Sequence, residues 1–276
     1  RRPLWEPLLL PDNLLVPHMV EGLEGVRILA VSAGLTHTVC LSSDQTVYSF
    51  GFARAFLGHG DWQEEEYKHN VLVPRPIPSL SRIVRIACGW SHTLALSDDG
   101  SLFSWGDGTD GRLGLGNERN VALPTKVEMD LPVAAMGAGA AHSAAVTEDG
   151  KVFAWGTGRP LGLGKPLSIV TTPTLVNHLE NFHRAKITYV SCGAAHTVAL
   201  GSDGKVYTWG WGKCGQLGHG NRDDRLLPSL IDSLKTKRIL RVAAGAYHTV
   251  LASDGGEVIA FGAGGCNSDG TQTAHE

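Results

Sequence analysis

The chain has 276 residues, with 24 Lys and Arg against 27 Asp and Glu for a formal net charge of −3. That balance argues against a nucleic-acid binder, which carries a clustered basic excess, and no stretch approaches the roughly 18 uninterrupted apolar residues of a membrane-spanning helix. Thirty-five glycines beside only 18% charged residues call for many tight turns around well-buried structure.

Residues 1–15 read as an N-terminal extension rich in proline and leucine. Trp5-Glu6-Pro7 and Pro11-Asp12-Asn13 interrupt the apolar core that a secretory signal needs. Leu4, Trp5, Leu8, Leu9 and Leu10 suit a segment that covers an exposed face of the fold, or a linker from a preceding region.

From residue 16 onward one pattern returns five times, over about 16–70, 71–123, 124–172, 173–227 and 228–276. Such self-similarity decides the architecture before any single element does. Gly-x-x-His ends at His37, His92, His142, His196 and His248, and 14 residues after each histidine stands a glycine preceded by an aromatic: Gly51, Gly106, Gly156, Gly210 and Gly262. Between them lie Asp99-Gly100, Asp149-Gly150 and Asp203-Gly204, with Asp44-Gln45 as a weaker copy and Asp254-Gly255 shifted by one. Asp-Gly between two β-prone runs is a hairpin signal, because both residues tolerate the positive φ of a primed turn. Each unit therefore offers three short strands. Four units continue through Leu-Gly-x-Gly, at Leu57, Leu113, Leu161 and Leu217, toward a fourth strand near Pro124–Val127 or Pro228–Ile231. There proline belongs at the strand start, where its missing N–H costs least. Inner strands such as Val39–Leu41 and Leu94–Leu96 are apolar without strict alternation, which predicts burial on both faces.

A four-stranded antiparallel unit of about 50 residues repeated around an axis is a β-propeller blade. WD40 blades are shorter and end in Trp-Asp. Gly193-x-x-His196-Thr197, Asp203-Gly204-x-Val206-Tyr207-x-Trp209-Gly210 and Gly215-Gln216-Leu217-Gly218-His219-Gly220 instead resemble the RCC1 (regulator of chromosome condensation) family. The resemblance covers residues 16–270 and implies an all-β propeller of RCC1-type blades. Propellers of the family close with seven blades, so the repeats visible here imply an incomplete or open part of such a ring, or a smaller ring.

Several motifs tempt and are absorbed by the repeat. Gly106-x-Gly108-x-x-Gly111 and Gly210-x-Gly212-x-x-Gly215 match a dinucleotide fingerprint, but they lead into turns and another strand instead of a helix N-terminus. Histidines at one position of every blade lie around a circle, which prevents convergence on one metal. They are expected to tie strand to turn by hydrogen bonds. Cys40, Cys88, Cys192, Cys214 and Cys266 show no CxxC spacing and an odd count, which points away from a disulfide framework and toward a reducing, intracellular compartment, cytoplasmic or nuclear. No Ser-His-Asp, Cys-His or paired-carboxylate arrangement stands apart from the repeat, so no catalytic, metal or cofactor site is expected.

Departures from the repeat carry the functional signal, because function is grafted onto loops of a rigid scaffold. Gly60 to Pro74 is 14 residues, whereas the matching segments to Pro124, Pro173 and Pro228 are 8, 9 and 8. The excess falls on Asp61, Trp62, Glu64, Glu65, Glu66, Tyr67 and Lys68, an acidic run with two aromatics able to steer and anchor a basic protein partner, or a solvated loop. Lys235, Lys237, Arg238 and Arg241 form a basic patch of the kind usual in a solvated turn.

The resemblance implies a non-catalytic interaction scaffold, alone or as a module of a larger regulatory protein, with a ubiquitin-pathway component or a small GTPase as partner. Guanine-nucleotide exchange on a Ran-like GTPase is the alternative. Exchange factors of the family act through an elongated segment after one Trp-Gly, and here the two glycines bounding that segment are 7, 8, 6 and 8 residues apart, without elongation. An ultraviolet-sensing member clusters tryptophans in Gly-Trp-x-His-Thr motifs; this chain has one, Gly89-Trp90-Ser91-His92-Thr93, with Leu35, Ala140, Ala194 and Ala246 at the matching positions.

Overall fold

A computed structural model of the chain describes residues 17–51, 57–60, 71–166, 168–181 and 183–263. Nineteen strands among them form five antiparallel sheets. The first holds β1 (Ile28–Ala33), β2 (His37–Ser42), β3 (Val47–Gly51) and β4 (Val71–Pro76); the second β5 (Ile83–Cys88), β6 (His92–Ser97), β7 (Leu102–Gly106) and β8 (Val121–Val127). The third holds β9 (Val133–Ala138), β10 (His142–Thr147), β11 (Val152–Thr157) and β12 (Ile169–Leu175); the fourth β13 (Ile187–Cys192), β14 (His196–Gly201), β15 (Val206–Gly210) and β16 (Arg225–Leu230). The fifth has three strands among the described residues, β17 (Ile239–Ala244), β18 (His248–Ser253) and β19 (Val258–Gly262). A single α-helical turn, α1 (Asn177–Asn181), lies between the third and fourth sheets.

The sheets are the blades of a β-propeller, as the repeat predicts. Their first strands pack against one another around a common axis. The core is divided among the blade junctions. Val39, Leu41 and Val47 of the first blade close on Ile83, Ala95 and Trp105 of the second, and equivalent clusters fill the next three junctions. Trp105, Trp155 and Trp209 are fully buried there; each removes enough area from water to contribute about 4–6 kcal/mol of transfer free energy. Leu94 and Leu96 lie in a strand buried along its whole length, as expected of a sheet covered on both faces.

The arc is open between the fifth blade and the first among the described residues. Val31 is 63% exposed, while Met136, Val190 and Val242 at the same position of later blades are at most 6% exposed. At the other end Val258 is 75% exposed, against at most 1% for Val47, Leu102, Val152 and Val206.

Two details differ from the sequence expectation. Pro124 and Pro228 sit within β8 and β16 instead of at their starts. Each falls where the register with the neighbouring strand shifts, between Ser104 and Gly106 and between Thr208 and Gly210. A bulge in an edge strand has no ladder bond for proline to lose. The blades also keep a different phase from the sequence repeat: β4 pairs with β3, so residues 71–76 complete the first sheet instead of opening the second. Periodicity sets a period and leaves its origin free.

Candidate interaction face

The Gly-x-x-His histidines join blade to blade. His37 Nε2 bonds Thr93 Oγ1 at 2.9 Å, His92 bonds Ser143 Oγ at 2.8 Å, His142 bonds Thr197 Oγ1 at 3.0 Å and His196 bonds Thr249 Oγ1 at 3.0 Å. Each acceptor belongs to the following blade, so the tie expected between strand and turn spans a junction. The hydroxyls of Ser143, Thr197 and Thr249 donate their one hydrogen to Arg112 O, Pro160 O and Gln216 O. They can therefore only accept from the imidazole, which places its proton on Nε2. Nδ1 of these four rings has no partner among the described residues. Burial pushes His92 and His142 down to about 3 and His37 and His196 down to about 4, so the rings are neutral hydrogen-bond donors. No group of three metal-binding side chains occurs among the described residues. His248 has no following blade among the described residues and is exposed.

The glycine of each aromatic-Gly pair closes the same turn. Gly51, Gly106, Gly156, Gly210 and Gly262 all have φ between 101° and 132°. A Cβ on Gly156 would stand 2.4 Å from Ala141 O.

Strand direction puts two kinds of loop on one face of the propeller: the Gly-x-x-His turns between first and second strands, and the long loops between third and fourth strands. The turns line a central cavity of about 260 Å³, with Leu35 and Trp90 on its rim. Leu35 is 69% and Trp90 41% exposed. Cys88 and Cys192 line the same cavity, and burial raises both thiols to about 12, which makes them inert fillers. Cys40, Cys88 and Cys192 are free, but Cys214 is disulfide-bonded, against the expectation from cysteine spacing.

In the second blade a buried guanidinium organises the face. Arg112 reaches Ser91 Oγ at 2.8 Å and Ala140 O at 3.1 Å, and pairs with Asp107 at 3.3 Å and Asp110 at 3.0 Å. Between the third, fourth and fifth blades lies a cleft of about 280 Å³ walled by Trp211 and Tyr247, whose rings meet edge to face with centroids 5.6 Å apart.

A family model described as an RCC1-like domain matches residues 6–275. The chain belongs to the RCC1-like domain family. Among RCC1-like relatives, the ultraviolet-B receptor UVR8 of Arabidopsis thaliana is 37% identical over 256 residues, covering 89% of this chain and 56% of the receptor. The human E3 ubiquitin-protein ligase HERC2 is 34% identical over 265 residues, covering 94% of this chain and 4% of the ligase. The chain thus spans little more than half the length of the receptor and a small fraction of the ligase. Among solved RCC1-like structures, human WBSCR16 superimposes with a TM-score of 0.75 at 26% identity, over 86% of this chain and 62% of that one. Prp20p of Saccharomyces cerevisiae, described with its binding to Gsp1p and histones, does so at 0.72 and 25%, over 86% and 57%.

Asp61, Trp62, Glu64, Glu65, Glu66, Tyr67 and Lys68 lie outside the described residues. The basic residues singled out in sequence fall on the opposite side, and Lys237 there is paired with Glu257. Arg112, Trp211 and Tyr247 were not evident as a group in sequence. The available signal was the variable residue before each Leu-Gly, which is Arg112, Pro160 and Gln216 in the second to fourth blades.

Proposed function

We propose that the chain is a non-catalytic protein-docking module that binds partners on the face carrying the Gly-x-x-His turns and the long loops. The observation that carries this reading is the exposure of Leu35 and Trp90 at the rim of the central cavity. Exposed large apolar residues beside a concavity favour association. The acidic and aromatic residues 61–68 add steering charge for a basic partner. Support for a module inside larger proteins comes from the share of HERC2 that the chain covers, 4%, and ubiquitin-pathway proteins are the partner class this likeness favours. Replacing Trp90 and Leu35 by Ser, or cutting residues 61–69 to the length of the other loops, is expected to reduce partner recovery in affinity capture while the far-ultraviolet spectrum stays unchanged. Full recovery by both variants would overturn the docking reading.

A second reading, nucleotide exchange on a small GTPase, draws on the likeness to Prp20p, whose description includes binding to Gsp1p. Release of labelled nucleotide from a panel of small GTPases decides it: acceleration by the chain supports exchange, and its absence leaves docking alone.

A further inference from the structure

We propose that the cleft between the third, fourth and fifth blades receives a single arginine side chain of a partner protein. This deepens the docking reading of the same face by naming what one of its sites recognises.

The repeat itself supplies the comparison. One blade earlier, the equivalent space is filled from within the chain by Arg112, whose guanidinium donates to Ser91 Oγ and to Ala140 O. Advancing by one repeat turns Ser91 into Ala141, Asp107 into Thr157, Ala140 into Ala194 and Arg112 itself into Pro160. All four replacements line the cleft. The internal plug is gone, and of its partners the backbone carbonyl is kept, now on Ala194.

What is left suits a planar cation. Ala194 O, the counterpart of the carbonyl that accepts from Arg112, accepts no backbone hydrogen bond among the described residues. The Thr157 hydroxyl belongs to the lining of the same cleft. The two carboxylates that pair with Arg112 have no counterpart, since Thr157 replaces Asp107 and the shorter loop has no residue matching Asp110. In their place stand the Trp211 and Tyr247 rings, whose faces attract a cation and stack on a guanidinium plane. Arg159 at the rim is already held by Asp224 at 2.8 Å, which offsets its charge. At about 280 Å³ the cleft has room for one side chain. Arginine is preferred to lysine because an ammonium can neither stack nor span two acceptors in one plane.

The test titrates the ¹⁵N-labelled full chain with the blocked tripeptides Ala-Arg-Ala, Ala-Lys-Ala, Ala-Pro-Ala and Ala-Ala-Ala. Saturable shifts of the Trp211 indole N–H and the Gly158 amide are expected with the arginine peptide, and binding about tenfold weaker with lysine. Pro160→Arg rebuilds the internal plug and is expected to abolish the response. Tyr247→Ala, a milder change, is expected to weaken it. The chain with residues 61–69 shortened is expected to bind the tripeptide unchanged, so failure of the loop and failure of the cleft are read separately. An absent response, an equal response to lysine or proline peptides, or undiminished binding by Pro160→Arg would overturn the proposal.

Discussion

A buried histidine that donates one hydrogen bond and leaves its other nitrogen bare is stable only as a neutral ring. His142 makes that bond to Thr197 across a junction with no exposure to solvent. His142→Ala removes the bond and opens a void, with an expected loss of about 2–4 kcal/mol by urea unfolding. His248→Ala, on the exposed face of the fifth blade, is expected to change stability by less than about 0.5 kcal/mol. Equal losses at both positions would refute the junction role. The same histidines set the acid limit. Unfolded rings take up a proton as pH falls below their ordinary value of about 6.5, whereas the folded rings resist until about 4 for His37 and His196 and about 3 for His92 and His142. Their contribution is therefore complete above that ordinary value and is lost as pH falls through the window below it, at about 1.4 kcal/mol per pH unit for each ring. Urea midpoints are expected to fall steeply between pH 6 and pH 5, and His142→Gln to flatten the slope by one ring's share.

At the scale of elements, the blade rests on glycines in conformations that residues with a Cβ rarely adopt. Gly156 combines φ of 106° with a carbonyl 2.4 Å from any added Cβ, whereas Gly215 has φ of 78° and nothing within 4 Å. Gly156→Ala is expected to cost about 3 kcal/mol or more and Gly215→Ala about 1 kcal/mol, read as the difference in thermal midpoints. These turns are why the fold was legible in sequence: the invariant distance from His142 to Gly156 reflects a fixed hairpin, in which the two residues pair directly. What stayed hidden involves neighbours in space. Nothing near His92 in sequence says that its partner is Ser143, 51 residues on, nor that Arg112 fills a cleft which Pro160 leaves empty. Those contacts appear only when repeats are stacked, because their chemistry is split across two blades.

At the scale of the whole molecule, the described residues form an arc with two unlike ends. Its first blade exposes Val31, on the surface that later blades bury against the one before, and its fifth exposes Val258, on the surface that earlier blades bury against the one after. Val258→Lys is expected to leave the thermal midpoint unchanged, while Val206→Lys, the same position one blade earlier and 1% exposed, is expected to unfold the chain. Circular dichroism melts distinguish the two, and a large loss at Val258 would show that this face is covered.

The histidine ties all run one way, from each blade to the next in the chain, and this orders events during synthesis. A blade leaving the ribosome holds an imidazole whose acceptor has not yet been translated. The hydroxyl that completes it lies 51–56 residues downstream, a wait of roughly 3–10 s at ordinary elongation rates. Each of the first four blades is thus finished by its successor, and until that successor is made its junction stays unsealed.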